Sequence, residues 1–319
     1  MKMSLLQLIQ TLWVQLRDLY LYFFRHAIVI NGYVDDDTWK GIRHRNWGDD
    51  LNYYFLKVLI GKPVVMYHNF KLAQWLHLKN YLCIGTLLDA VKYANAQTIV
   101  WGSGVSGKER TFVHPEKILA VRGKKTKNFC DRYDVSCPEV YGDPALLLPL
   151  VYRSPTSTLP RREGVWKLGI IPHVVDLHHP VIEEIREKHE DEILIIDLAH
   201  YKKWTDVIDQ ICSCERILSS SLHGIIVSDA YQVPNCWIEL SGKISGGYFK
   251  YFDYASSVGR EFEKPIITDQ FNKIAELVEH ANDVFSHADI EKIKDLQQGL
   301  LAVTPFECKG INRGLGNEY

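Results

Sequence analysis

The sequence predicts an α/β protein built from two doubly wound, Rossmann-like domains that face each other across a cleft. Three observations carry that prediction. Short β-branched or aromatic runs alternate with helical stretches along most of the 319 residues. A segment at 152–164, Y-R-S-P-T-S-T-L-P-R-R-E-G, has the prolines, serines and charges of a linker and interrupts the alternation near the middle of the chain. Beyond it the alternation restarts over a similar length. These features divide the chain into an N-terminal helix (1–30), a first α/β domain (31–151), the linker (152–164) and a second α/β domain with terminal helices (165–319).

The N-terminal stretch places Leu5, Ile9, Leu12, Leu16 and Tyr20, with Trp13 and Phe23, at helical spacing. Arg17 and Asp18 interrupt it well before it could span a bilayer. It also lacks a small-residue cleavage site of the signal-peptide kind. A helix docked by its apolar stripe on the protein's own core is the favoured reading, because the polar face carries no lysines. An interfacial helix resting on a membrane is the alternative.

In the first domain, strands are expected at 38–43, 63–67, 81–84, 98–101 and 118–121, with a Gly-Asp-Asp turn leading into a helix over 50–59. In the second, strands are expected at 167–172, 193–197, 216–219 and 235–239. Helices are expected at 180–188, 204–212 and 222–231, and two polar helices at 270–280 and 288–301 close the chain.

The total charge excludes some partners. With 37 Lys and Arg against 39 Asp and Glu, the net charge is −2, so nothing in the whole-chain balance points to nucleic acid, and any basic site must be local. Seven cysteines are odd in number and scattered, without C-x-x-C spacing. Free thiols in a reducing compartment fit better than zinc or disulfides, so a cytoplasmic protein is expected.

In such sheets ligands bind where strands end and helices begin. Asn46-Trp47-Gly48-Asp49-Asp50 occupies one such junction. Asn46, Asp49 and Asp50 are candidates for holding a sugar hydroxyl, and an aspartate there would serve equally as a helix cap. Gly102, Ser103 and Gly104 follow the strand at 98–101 and could let a backbone approach an anion, or simply form a tight turn. Arg122 ends the strand at 118–121, where a guanidinium can hold a carboxylate or phosphate bidentately. Lys124, Lys125 and Lys127 read as a solvated helix face.

The richest segment is Ser219-Ser220-Ser221-Leu222-His223-Gly224, where hydroxyls and unpaired N–H groups converge on a helix N-terminus beside an imidazole able to titrate near neutral pH. Lys250 sits among the aromatics of 248–254 and could pair with an anionic donor or snorkel from a core. His173, His178 and His179 form a further cluster near a strand end, but their spacing identifies no metal site.

Taken in order, eight segments resemble the polysaccharide pyruvyltransferase family. They are N-W-G-D-D-L-N (46–52), C-I-G-T-L-L (83–88), V-W-G-S-G (100–104), A-V-R-G (120–123), G-D-P-A-L-L-L-P (142–149), I-I-P-H-V-V-D (170–176), S-S-S-L-H-G-I-I-V-S-D-A-Y (219–231) and F-K-Y-F-D-Y (249–254). The resemblance implies a fold like that of two-domain (GT-B-like) glycosyltransferases. It implies phosphoenolpyruvate bound in the interdomain cleft as donor, and transfer of its enolpyruvyl group to a sugar as a pyruvate ketal in a capsule, exopolysaccharide or cell-wall polymer.

The family's histidine maps to His223. Some members carry arginine immediately before the leucine–histidine pair, where this chain has Ser221, which leaves Arg122 and Lys250 as candidates for the cation that holds the donor. On this reading His223 protonates C3 of the donor. Arg122, Lys250 and the N–H groups of Ser219, Ser220 and Ser221 hold its carboxylate and phosphate, and Asp49 or Asp50 orients or deprotonates the acceptor. No cofactor is expected. The expected partners are phosphoenolpyruvate and a glycan or lipid-linked acceptor; peripheral contact at the inner face of the plasma membrane belongs to the alternative reading of the N-terminal helix. A nucleotide-sugar glycosyltransferase of the same architecture and a non-catalytic subunit of a polysaccharide assembly complex are the competing readings.

Overall fold

The chain begins with a 21-residue helix, α1 (Leu5–Arg25), in a computed structural model that describes residues 4–38, 41–90, 95–108, 113–158, 166–244, 246–268, 271–279 and 283–311. Ser4 caps α1 reciprocally with Gln7, each side chain bonding the other's backbone N–H. The helix stops at His26, whose φ of 51° is left-handed. The first strand, β1 (Ile28–Asn31), follows at once, inside the span expected to be helix.

The first unit continues with an antiparallel pair, β2 (Asp35–Thr38) and β3 (Gly41–Arg43), then α2 (Trp47–Asp50), α3 (Tyr54–Ile60), β4 (Val64–Met66), α4 (Lys71–Trp75), β5 (Asn80–Leu82), β6 (Thr98–Trp101), β7 (Lys117–Ala120), α5 (Lys124–Arg132) and α6 (Leu148–Val151). The single strand expected over 38–43 is therefore the second half of this short pair, with residues 39 and 40 outside the described residues. The second unit runs β8 (Leu168–Ile171), α7 (Pro180–Lys188), β9 (Ile193–Ile195), α8 (Trp204–Cys212), β10 (Ile217–Ser219), α9 (Leu222–Ala230), β11 (Asn235–Glu239), α10 (Phe249–Val258), β12 (Ile266–Ile267), α11 (Phe271–Glu279) and α12 (Ile290–Ala302).

Each unit carries a five-stranded, all-parallel sheet. The orders are β4-β1-β5-β6-β7 and β12-β11-β10-β8-β9. Helices cover parallel sheets on both faces, which is why β4, β6 and β8 are buried throughout and read as continuous apolar runs. In the first sheet the chain leaves β1 toward β4 and returns on the other side to β5. In the second it leaves β8 toward β9 and returns to β10. The crevices beyond β1/β5 and β8/β10 are thus the topological switch points, where open α/β sheets bind ligands.

One core runs through both units, containing Ile30, Trp47 and Trp101 together with Ile171, Leu222 and Tyr251. The closing helix packs back on the first unit. Trp101 Nε1 donates to Leu300 O at 3.0 Å and Gln297 Nε2 to Leu146 O at 2.8 Å. The expected linker is described as far as residue 158, where Tyr152 and Ser154 donate to the Asp209 carboxylate on α8. Its remainder lies outside the described residues.

Candidate active site

Both switch points open into one cleft of about 380 Å3. Tyr33 follows β1, Gly85 and Thr86 follow β5, His173 follows β8, and Ser221, Leu222 and His223 follow β10; Asn46, Asp49, Asp89, Ser106, Arg122 and Lys250 complete most of the lining.

The Asn-Trp-Gly-Asp-Asp-Leu-Asn turn is built residue by residue for this place. Asn46 caps α2, accepting from Gly48 N at 3.3 Å. Trp47, fully buried, latches the turn into the second unit, its backbone N–H donating to Leu198 O and its indole N–H to Trp204 O. Asn52 bonds both the N–H and the C=O of Ile84, fixing the loop after β5.

Gly48 lies against the catalytic candidate. A Cβ there would sit 1.9 Å from His223 Nδ1, far inside contact distance. Gly48→Ala is therefore expected to displace the imidazole, costing about 1–3 kcal/mol of stability and most of the activity. A melting curve and a turnover assay on that variant check this, and normal turnover would show that His223 does not need this position.

The two aspartates of the turn diverge. Asp49 lines the cleft, and burial, reinforced by Asp50, lifts its carboxyl to about 7 against the opposing influence of Lys250 and Asn46. Asp50 instead accepts from Tyr201 OH at 2.6 Å, and burial raises it to about 6. Of the two, only Asp49 faces the cleft.

Gly102, Ser103 and Gly104 do not line the cleft. The N–H groups of Gly102 and Gly104 bond Ala120 O and Gly85 O, and Ser103 Oγ also donates to Gly85 O. Their small size has another use. A Cβ at Gly104 would lie 2.4 Å from the Arg122 guanidinium carbon, so the glycine makes room for that side chain. Gly102 has a φ of +92°, where a side chain would be strained.

Arg122 is wholly buried. Its Nε donates to Asp253 Oδ2 at 2.9 Å, its Nη1 to Thr86 Oγ1 at 2.8 Å and its Nη2 to Val105 O at 3.2 Å. The guanidinium thus ties the first sheet to α10, the helix that carries Lys250. Lys250 lines the cleft and forms no ion pair among the described residues. Burial, with Arg122 nearby, lowers it to about 8 in spite of Asp49.

The three serines divide their work. Ser219 Oγ donates to Ser221 O and accepts from Ser221 N, shaping the turn. Ser220 Oγ accepts from His173 N, and its carbonyl accepts from Tyr251 OH. Ser221 stands at the N-cap of α9 without a capping bond and lines the cleft.

His223 Nε2 is buried with no partner among the described residues. Burial, then the positive charges of Lys250 and Arg122 and the neighbouring His173, push its pKa down to about 3. The free protein therefore holds a neutral imidazole, in contrast to the group titrating near neutral pH that the sequence suggested. His173, likewise lowered to about 4 by burial and Lys250, joins it in the cleft. Its place just after β8 is the signal in the sequence that marks it, whereas the spacing of His173, His178 and His179 points to no ligand. Thr86 lies in the C-I-G-T-L-L segment at 83–88, where sequence reasoning expects no site residue, and Tyr33, Asp89 and Ser106 lie in loops without a distinctive pattern.

Among the described residues no group of three or more His, Cys, Asp or Glu could hold a metal ion, and all seven cysteines are free thiols. The arrangement is one of cations, uncapped helix N–H groups and neutral imidazoles around the carboxyl of Asp49, while the Asp89 carboxylate accepts from Ser106, an environment suited to a small polyanion.

Residues 16–242 match the family described as polysaccharide pyruvyl transferase, most of the chain and all but Lys250 among the site residues discussed above. The chain belongs to this family. It is 27% identical over 288 residues to Uncharacterized protein L143 of Acanthamoeba polyphaga mimivirus, covering 87% of this chain and 94% of that protein. It is also 27% identical over 228 residues to Succinoglycan biosynthesis protein ExoV of Rhizobium meliloti (strain 1021), covering 68% of this chain and 63% of that one. The chain is accordingly a transferase of the pyruvyl transferase family with two parallel-sheet units.

Proposed function

We propose that the protein moves the enolpyruvyl group of phosphoenolpyruvate onto two hydroxyls of one sugar, forming a pyruvate ketal and releasing phosphate, in the assembly of an exopolysaccharide, capsule or cell-wall glycan. The observation that carries this reading is Lys250, with no ion pair among the described residues, beside the uncapped α9 N-terminus and the Nε2 of His223, which has no hydrogen-bond partner among them, all in one cleft. A donor with a carboxylate and a phosphate supplies negative charge to the cation and the helix end together.

In this reading Lys250 and the α9 N-terminus hold the donor, and Arg122 positions them through Asp253. A sugar hydroxyl adds to C2 as C3 takes a proton from His223; a second hydroxyl then displaces phosphate at C2, closing the ketal. Asp49 accepts the first hydroxyl's proton, and the second hydroxyl's proton leaves with the phosphate. The anionic donor is what raises the otherwise neutral imidazole toward protonation. A second cavity of about 290 Å3, lined by Trp237, Glu239, Gly247, Tyr248 and Tyr251, offers aromatic surface and a carboxylate to the acceptor sugar.

Three groups set the expected pH profile of kcat/KM. Asp49 must be ionised and His223 must gain a proton, so between about 3 and about 7 the two opposed requirements cancel and kcat/KM is level. Above about 7 the falling protonation of His223 lowers it, and loss of the Lys250 proton steepens the fall above about 8. Asp49→Asn turns the plateau into a fall that starts from about 3, and Lys250→Met removes the added steepness above about 8. The founding test is acceptor-dependent phosphate release from phosphoenolpyruvate with a panel of lipid-linked and synthetic galactosides, glucosides and mannosides. No thermal shift with phosphoenolpyruvate, together with consumption of a nucleotide-sugar, would replace this reading by a glycosyltransferase.

A further inference from the structure

Helix α1 docks by one side and leaves a broad apolar side in water. Its interior-facing side packs Leu19, Leu21 and Tyr22 against the core around Val29, Val65 and Phe70 and adds specific polar bonds. Gln10 Nε2 donates to Asp37 O, Gln15 Nε2 to Asn69 O while its Oε1 accepts from Lys71 N, and Arg17 pairs with both Asp18 and Asp36. Its outward side is apolar. Leu5, Leu6, Leu8, Ile9, Leu12, Trp13, Leu16, Tyr20, Phe23 and Phe24 are all exposed, Leu5 by 74%, Leu12 by 60% and Phe24 by 73%. Val14 and Asp18 are the helix's only fully buried residues. The helix does dock on the core, as the favoured sequence expectation has it, but through Val14, Leu19, Leu21 and Tyr22; the stripe of Leu5, Ile9, Leu12, Trp13, Leu16, Tyr20 and Phe23 faces out.

Such a face is costly in water and needs an occupant. We propose that α1 lies flat on a lipid bilayer with anionic headgroups. Four observations favour this over a protein partner. At about 100° per residue the exposed side chains cover an arc of about 160°, whereas helix pairs use a narrow a/d seam. Neither Arg17 nor Asp18, the charged residues within the stripe's span, lies on the apolar arc, so no charge is desolvated as it enters the headgroup–acyl boundary. Trp13, Tyr20, Phe23 and Phe24 supply the aromatic rings that settle at that depth.

The fourth observation is charge. On the flanks, every acid is matched by an arginine, Asp18 and Asp36 by Arg17, Asp37 by Arg43 and Asp35 by Arg45, while Arg25 and Lys71 form no ion pair among the described residues. The balance at this surface is cationic, complementary to anionic lipid. The adjoining α4 adds the exposed side chains of Trp75 and Leu76. No described helix is long and apolar enough to cross a membrane, so the helix rests on the surface. At about 1.5 Å per residue it would lie along about 30 Å of it.

The test is flotation of the full chain with vesicles of phosphatidylcholine alone and of phosphatidylcholine with phosphatidylglycerol. The wild type is expected to float with the anionic vesicles. Leu12→Gln/Leu16→Gln/Phe23→Gln should reduce binding about tenfold or more while keeping the wild-type melting temperature, because these side chains touch water rather than core. Arg25→Glu/Lys71→Glu should weaken binding to the anionic vesicles at low salt only. Wild-type protein that stays soluble with both vesicle types overturns the proposal. So does a wild-type dimer that the triple variant splits without changing flotation, which would make a second copy the occupant. Vesicle binding reads independently of phosphoenolpyruvate turnover, so failure of either reading leaves the other tested.

Discussion

Arg122→Met is expected to lower the unfolding free energy by about 3–5 kcal/mol and to abolish turnover. The guanidinium and the Asp253 carboxylate are both wholly buried, and removing the cation leaves the anion without its charge partner. The two bonds that Asp253 also accepts from Thr126, from its backbone N–H and its hydroxyl, do not replace that charge. The pair also joins the end of β7 to α10, three residues along from Lys250, so its loss moves Lys250 as well. Arg122→Met/Asp253→Asn should recover much of the stability, since no charge is left buried alone, yet remain inactive. Denaturant unfolding and phosphate release on both variants check this. A single variant within about 1 kcal/mol of wild type would show that the pair is worth no more than a surface contact.

His223→Gln is expected to lower kcat by about 10²–10⁴-fold, the range for loss of a positioned proton donor, with little change in melting temperature. Glutamine retains a polar tip of similar reach but cannot supply a proton. The substitution should also remove a proton taken up on donor binding. In the free protein the imidazole is neutral, its pKa pushed down to about 3. An anionic donor beside Nε2 opposes that shift, so binding near neutral pH draws a proton from solvent onto the ring. Titration calorimetry in buffers of different ionisation enthalpy measures that uptake. Uptake unchanged in His223→Gln would assign the proton to another group and remove His223 as the acid.

The sequence conveyed the sheets better than their edges. Pro180–Lys188 and Trp204–Cys212 were legible because their apolar spacing is clean, and Pro180 marks its helix start. Thr98–Trp101 and Asn235–Glu239 stand between polar segments. β1 was hidden because Ile28–Asn31 follows an apolar helix with no change of composition. The β2/β3 pair was hidden because Asp35, Asp36 and Asp37 are poor strand formers, held by tertiary partners at Arg45, Arg17 and Arg43.

In the site, Arg122, Ser221 and His223 could be read from their position at strand ends. The split between Asp49 and Asp50 could not, because it depends on Tyr201, 151 residues away from Asp50. Periodicity likewise reveals that α1 has an apolar side but not which way it faces. That is decided by bonds from Gln10, Gln15 and Arg17 to residues 19 to 56 positions away.

Trp47 fastens the turn that carries Asp49 into the opposite unit, while Gly48 of the same turn rests against His223. Parting the two units would have to withdraw the indole from Trp204 and the backbone from Leu198, and the same displacement would lift the turn off the imidazole. Unlatching the units and parting Asp49 from His223 would therefore be one event, so in the proposed reaction the acid and the base would be assembled only while the two units stay together.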